Sequence, residues 1–356
     1  MATEASTDAA GEDLVCARAT PKQITRHFEN TSQMWAAPLS LPQYLHMQNQ
    51  LAKSADNVAT TQYWVLFKPS DPDTIMSSCS VYLREAIVNS GRGMEPVKAA
   101  VITDIFTHSE FRRNGMATRL LTKVKEALDG MEKERVGFSI IYSGTAHQQR
   151  ISYGSKYVAK PPDDEEVRQL SPEDLSELCL QEVNTAKLQL SALRVTQKTF
   201  AQVLGTSDVL KWHFVRSLIL RRHLGSTKSQ EKTAMSGVLY QNMRGITAWA
   251  WWVHDYRSRK LFIGQIGTAR LRGMEEPIAK ILHVAVAEAC AHGLREVVMW
   301  EPTAQVAEAG GLLANRLGAG VQVIFKERFD DIPCVRLHEK NEREAALVSP
   351  QFYTWC

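Results

Sequence analysis

Apolar and polar positions along the chain switch between two periods, and the switches mark out its elements. The pattern from Glu29 to Leu51 predicts one or two helices, with Trp35 and Tyr44 as packing positions. The segments YWVLFK (Tyr63–Lys68), SCSVYLREAIV (Ser78–Val88) and VKAAVITDIFT (Val97–Thr107) are β-rich. They are broken by the turn-like PSDPD and NSGRGMEP, and such short breaks predict antiparallel pairing. The period then changes: Met116, Leu120, Leu121, Val124 and Leu128 recur at helical spacing, with Lys123, Lys125 and Glu126 outward. VGFSIIYSG (Val136–Gly144) follows as a strand, and a strand reached through a crossover helix is expected parallel to the one before it.

The second half repeats this order. Ser171, Pro172 and Asp174 predict the start of a helix as N-cap, N1 and N3. A helical run follows around Trp212 and His213. Next come strands GITAWAWWVHDY and KLFIGQIGT, a helix closed by Gly293, and strand REVVMWEP. Strand, Arg-x-x-Gly-Met, helix, strand occurs at Arg112–Met116 and again at Arg270–Met274, which suggests duplication.

A chain of 356 residues is expected to form two domains. We expect a disordered tail over 1–20, a first domain over 21–160, a linker over 161–174 and a second domain over 175–356. A net charge of +3 argues against a nucleic-acid binder. Six cysteines without a C-x-x-C pair point to reduced thiols in a cytoplasmic setting, with no metal site. No apolar run approaches the ~20 residues of a membrane helix.

The segment EFRRNGMATRLL carries the most chemistry. The first backbone N–H groups of a helix lack intrahelical partners, and with the helix dipole they make an anion site suited to a pyrophosphate. Gly115 and Ala117 keep that site open, Thr118 offers a hydroxyl, and Arg112 and Arg113 add positive charge beside Asn114 and Met116. Neither a P-loop nor a dinucleotide fingerprint fits the spacing.

Arg112-Arg113-Asn114-Gly115-Met116-Ala117 resembles the R/Q-x-x-G-x-G/A signature of the GNAT acyltransferase superfamily, in its strand–helix–strand context. MWAAPLSLPQYL, YWVL, YLREA, IIYSG, KWHFVR, VVMWEP and the ending FDDIPCVRL…FYTWC together resemble the fungal lysine N-acetyltransferase family, from about Met34 to Cys356. The resemblance implies an α/β (α+β) fold with a mixed central sheet and a second, degenerate GNAT-like domain shaping the acceptor site. It implies acetyl-CoA or another acyl-CoA as co-substrate, a small-molecule amine such as lysine as acceptor, and direct transfer. The strand residues Ile105, Phe106 and Thr107 would then join the Arg112–Thr118 turn in holding the cofactor.

A tyrosine after the fifth strand usually protonates the departing thiolate in this superfamily. Here the matching region carries Gly144, Gln149 and Arg150, so Tyr153 or Arg150 is expected to serve. Asp104, within an apolar strand, is the candidate base, because desolvation raises a carboxylate pKa toward a useful value. Glu85, His108 and Tyr142 are candidate acceptor contacts. The plainer readings are a solvated strand carboxylate for Glu85 and a loop residue for His108. Trp212 and His213 read as inter-domain packing, Trp249 and Trp251 as core, and Glu275 as a carboxylate that bars pyrophosphate from the second copy. The alternatives are a tailoring acyltransferase of fungal secondary metabolism with another acceptor, or a GNAT-like scaffold that has lost acetyl transfer.

Overall fold

The computed structural model describes residues 14–54, 60–131, 133–142, 146–154, 157–194, 197–231, 233–270, 272–328, 332–338 and 344–355. Strand β1 (Val15–Arg18), helices α1 (Pro21–Trp35) and α2 (Leu41–Lys53), and strands β2 (Thr61–Lys68), β3 (Asp71–Asn89) and β4 (Met94–Thr107) come first. Helix α3 (Met116–Asp129) and β5 (Val136–Tyr142) complete the first repeat. Then come β6 (Ala146–Tyr153), β7 (Val167–Gln169), α4 (Pro172–Ala192), β8 (Lys198–Val203), α5 (Ser207–Leu224) and the short α6 (Thr227–Glu231). The second repeat holds β9 (Gly237–Gln241), β10 (Thr247–Asp255), β11 (Lys260–Thr268), α7 (Glu275–Ala291), β12 (Glu296–Trp300) and α8 (Ala304–Leu317). The chain closes with β13 (Val321–Arg328), β14 (Pro333–Leu337) and β15 (Glu344–Leu347).

These strands form two mixed sheets, so the expected α/β class with two sheet-bearing units is what the chain adopts. One sheet runs β1-β2-β3-β4-β5-β14, with β8 added to β3 and β15 to β8; the other runs β13-β6-β12-β11-β10-β9-β7. β2, β3 and β4 are antiparallel, while β4 and β5 are parallel, as a crossover through α3 requires. β11 and β12 are likewise parallel across α7. Gly115 and Gly273 both have φ of 72°, so the two Arg-x-x-Gly turns share a left-handed glycine as well as an order of elements.

The sheets exchange strands in a way the pattern does not foretell. β6 leaves the first repeat to lie between β12 and β13 of the second sheet, and β8, β14 and β15 return to the first. The segment 161–174 is structured: β7 pairs with β9, Lys280 binds Asp164 and Glu166 at 2.7 Å each, and Ser171 caps α4 in a capping box. Order also begins inside the expected tail, since β1 pairs with β2 and Thr20 caps α1; residues 1–13 lie outside the described residues.

Each sheet buries its own core. Trp64, Leu66, Val81 and Ile102 pack on Met116, Leu120, Val124 and Leu128 of α3, the stripe that the helical period marks. Trp249, Trp251 and Trp252 of β10 are all buried. A side chain at Gly264 or Gly267 of the neighbouring strand would run into the Trp251 or Trp249 ring, so these glycines make room for the tryptophans. α2 ties the units together: Tyr44, Met47 and Leu51 share a cluster with Trp212 and Leu220 of α5. Among the described residues, no helix is long and apolar enough to cross a membrane.

Candidate active site

The site starts from a fault in the β3–β4 ladder. Ser78 pairs with Phe106 and Ser80 with Thr103, so Asp104 and Ile105 together stand opposite Cys79. This is a β-bulge, and Asp104 takes its left-handed position with φ of 51°. On its other side β4 pairs with β5 only as far as Ile102 and Ile141. Beyond the bulge, Ile105, Phe106 and Thr107 have no β5 partner among the described residues, and the sheet opens.

A cavity of about 270 Å³ lies at this opening. Asp104, Thr103 and Ile105 of the bulge line it together with Tyr44, Tyr82 and Tyr142. Trp35, Trp212, Trp355, Arg216 and Arg257 close other sides. A second chamber of about 610 Å³ shares Arg216, Arg257 and Trp355 and extends toward Trp300 and Phe352.

Burial raises the Asp104 pKa to about 6, against the opposing pull of a Ser80 hydrogen bond and of Arg216. Ser80 Oγ donates to Asp104 Oδ2 at 3.0 Å. An ionised carboxylate only accepts, which fixes the direction of that bond and of the two behind it. His27 Nε2, 3.1 Å from Ser80 Oγ, must donate, and His27 Nδ1, 2.8 Å from Ser78 Oγ, must accept. His27 is fully buried, and burial lowers its pKa to about 3, so it is neutral. The proton positions follow from the network.

At the end of β4 the chain turns into α3. Thr107 bonds Ser77 at 3.0 Å, and Arg112 Nε donates to the Thr107 carbonyl at 3.0 Å, with its guanidinium over the Phe106 ring. Arg113 has φ of 64° and Gly115 of 72°. No side chain caps α3, leaving the first-turn N–H groups of Met116, Ala117 and Thr118 open to an anion. Arg112, Arg113, Asn114 and Gly115 are exposed around them. Space alone does not demand Gly115, since a Cβ there meets nothing within 4 Å; its positive φ does. In the second repeat Glu275 and Glu276 open α7, a charge that repels a phosphate.

The other expected residues divide. Tyr142 lines the cavity and bonds the Thr354 hydroxyl; Trp212 also lines it. His108 lies in the loop after β4, against Phe111 and 3.8 Å from Glu110, away from the cavity lining. Glu85 is exposed and paired with Lys98, the residue opposite it on β4, so it does not reach the cavity. Arg150 and Tyr153 are corrected by the strand exchange. β6 carries Arg150 to Glu296 at 3.3 Å, and Tyr153 OH to the Leu294 carbonyl at 3.0 Å, both in the second sheet. Gln149 is buried on the same strand, and Gly144 and Cys356 lie outside the described residues.

Sequence reasoning missed His27, Ser80, Arg216, Arg257 and Trp355. His27 lies in a helix with no motif around it, and Arg216 closes the KWHFVR segment without a chemical role that the sequence assigns to it. Trp355 is positioned by a buried tail: Phe352 stacks on Phe262 at 4.4 Å, Tyr353 OH donates to the Val203 carbonyl at 3.1 Å, and His213 donates to the Tyr353 carbonyl at 3.3 Å. Away from the cavity, His254, Glu288 and His292 form a buried cluster of metal-ligand type. Glu288 Oε1 lies 2.8 Å from His254 Nε2 and 3.2 Å from His292 Nε2, and Ser229 and Tyr256 hydroxyls meet His292 Nδ1.

A mixed sheet that opens at a bulge, followed by an anion turn, a helix and a parallel strand, defines a GNAT-type acyltransferase fold. Solved structures agree. The chain is similar to a probable N-acyltransferase from Enterococcus faecalis V583 (11% identity, TM-score 0.50, covering 91% of this chain and 73% of that one). It is also similar to GCN5-related N-acetyltransferases from Kribbella flavida (15% identity, TM-score 0.50, 92% and 71% covered) and Anabaena variabilis (11% identity, TM-score 0.50, 92% and 73% covered). The family model described as the LYC1 GNAT-like C-terminal domain matches residues 154–356, more than half of the chain, and the protein belongs to that family. No curated protein matches it in sequence.

Proposed function

We propose that the protein is an acyl-CoA-dependent N-acyltransferase, with acetyl-CoA as the default donor and a small-molecule amine such as lysine as acceptor. The observation that carries this reading is the placement of Asp104. It is a carboxylate of raised pKa, at the bulge where β4 leaves β5, facing an aromatic cavity and on the strand that leads into the Gly115 turn.

In this reading the Arg112–Thr118 turn holds the pyrophosphate, and the backbone of Ile105, Phe106 and Thr107 borders the pantetheine arm. The amine nitrogen attacks the thioester carbonyl, forming the C–N bond, and the C–S bond breaks with its electron pair leaving on sulfur. The proton lost by the amine goes to the Asp104 carboxylate, and the thiolate takes up a proton. Tyr142 is the tyrosine at the end of β5 that lines the cavity, and we assign it the donor role that Tyr153 is too remote to fill. Before substrate binds, its O–H is donated to Thr354 Oγ1, whose own hydrogen goes to the Gln351 carbonyl at 2.7 Å, so the donor role requires the Tyr142 hydroxyl hydrogen to turn from Thr354 toward the sulfur.

Free thiols at Cys16, Cys79, Cys179, Cys290 and Cys334 support a reducing, cytoplasmic setting. The test is to incubate the protein with acetyl-CoA and L-lysine, follow free thiol, and look for the acetylated amine by mass spectrometry. Thiol and acetyl-lysine appearing in equal amounts supports the reading. Thiol released without an acetylated amine contradicts it.

A further inference from the structure

The transfer chemistry leaves a buried group of the second sheet unused. His254 stands on β10, Glu288 in the last turn of α7, and His292 at the cap of that helix, four residues on. That spacing brings two helical side chains together. The ligand-type atoms of the three lie within 4.8 Å of one another, and all three residues are buried. None of them lines the chambers beside Asp104.

Three nitrogens converge on one oxygen. Glu288 Oε1 accepts the Met235 N–H at 2.9 Å, His254 Nε2 lies 2.8 Å from it, and His292 Nε2 lies 3.2 Å from it. Met235 is held in place, because Trp252 Nε1 donates to its carbonyl at 2.8 Å. A carboxylate oxygen has about two lone pairs, so hydrogens on all three nitrogens are one too many. A cation between the imidazoles and the carboxylate resolves this. It takes the ring lone pairs and one lone pair of Oε1, and leaves the other to Met235.

The groups behind the cluster suit such a cation. A histidine that binds a metal through Nε2 carries its hydrogen on Nδ1 and donates it to a neighbour. His292 Nδ1 lies 3.0 Å from Ser229 Oγ and 3.1 Å from the Tyr256 hydroxyl, and a hydroxyl oxygen can accept. Ser229 Oγ donates to the Tyr256 hydroxyl at 3.0 Å, which leaves its lone pairs for that N–H. His292 Nε2 then turns a lone pair toward the Glu288 carboxylate, and a cation has to lie between them. Zinc takes nitrogen and oxygen ligands at about 2.0–2.2 Å, which sets ligand atoms of a tetrahedral site roughly 3.3 Å apart. The observed 2.8 and 3.2 Å need only a small outward shift of the rings.

We infer that His254, Glu288 and His292 bind one divalent transition-metal ion of the zinc class, with a water as fourth ligand. The ion joins the end of α7 to β10 and so braces the second sheet. The expectation of no metal site rests on cysteine spacing, whereas these ligands are imidazoles and a carboxylate that α7 and β10 bring together. The inference does not depend on the acyl-transfer reading. A proton on His292 Nε2 is the rival cation, and the test separates the two.

The full chain is expressed in medium supplemented with Zn2+ or Co2+, desalted, and assayed for metal per chain by mass spectrometry. Cobalt also reports its geometry through its visible bands. His292→Gln removes one ligand. Ser229→Ala/Tyr256→Phe keeps all three ligands and removes the hydroxyls behind His292, which guards against a His292 variant that fails to fold. His46→Gln/His223→Gln removes an exposed histidine pair, with ring centroids 6.2 Å apart, as an alternative place for metal. The expected result is about one ion per chain, with the intense bands of four-coordinate cobalt. His292→Gln loses the ion, and His46→Gln/His223→Gln retains it. The hydroxyl variant holds it about 10–100-fold more weakly against a competing chelator. Absence of retained metal in the wild type overturns the inference and leaves an imidazolium–carboxylate network. So does metal that survives His292→Gln, metal held equally well by the hydroxyl variant, or metal lost with the exposed pair.

Discussion

Ser80 Oγ donates to Asp104 Oδ2 at 3.0 Å, and behind it His27, buried and neutral, holds Ser80 from the other side at 3.1 Å. Every donor in this file points toward the carboxylate. It therefore favours the ionised form and partly offsets the burial that raises the pKa to about 6. If Asp104 is the base, the rate of transfer rises with pH through about 6. Ser80→Ala removes a bond made to the ionised form, so the pKa moves up and the acid limb of the profile moves to higher pH. A profile that stays in place in Ser80→Ala contradicts this arrangement.

Asp104→Asn should trade activity for stability. Asparagine tolerates the left-handed backbone at this position, so the bulge survives. Loss of a general base lowers kcat by about 10²–10⁴. The folded pKa lies above the usual carboxylate value, so the folded state binds the proton more tightly than the unfolded state does. The stability this contributes is complete below about pH 4 and is lost as the pH rises through about 6. Asn escapes that loss, and urea unfolding should find the variant more stable than the wild type at pH 8 by up to about 3 kcal/mol. The difference should shrink at pH 4.

His27→Ala leaves Ser80 and Ser78 without their shared partner in a buried site. Unfolding should show a loss of roughly 2–4 kcal/mol, since a cavity and unsatisfied hydroxyls act together. The pH profile of the surviving activity should shift in the same direction as that of Ser80→Ala. A variant that is destabilised but keeps the wild-type profile would show His27 to be packing alone.

The buried cluster of the second sheet predicts an effect on folding. Two histidines hold the Glu288 carboxyl far below its usual pKa, at about 2. Glu288→Ala removes the shared acceptor and should cost roughly 3–5 kcal/mol in chemical unfolding. Acetyl-CoA affinity should not change, because α7 carries this cluster away from the Gly115 turn.

Much of the fold is legible because each element carries its own period or cap. The α3 stripe, the Ser171 capping box and the strand order around both Arg-x-x-Gly turns all depend on neighbours in sequence. The exchange of strands does not. β6 looks like any half-polar strand, and nothing in AHQQRISY says that its partners are β12 and β13, far along the chain. That one placement moves Arg150 and Tyr153 out of reach. Glu85 was recoverable, since its register puts it opposite Lys98 and cross-strand opposite charges pair. Asp104 stood out as a carboxylate in an apolar strand. The groups that serve it come from α1, α5 and the buried tail, which only tertiary packing brings together.

The most direct test of acyl-CoA use is calorimetry of acetyl-CoA with the wild type and Gly115→Glu. A side chain at φ of 72° is strained, but a Cβ there meets nothing within 4 Å, so the variant should fold. Its carboxylate would sit at the mouth of the anion site. Binding by the wild type, with loss of about 100-fold or more in the variant, is the predicted result. No binding by the wild type, or equal binding by both, would contradict a pyrophosphate cradle at this turn.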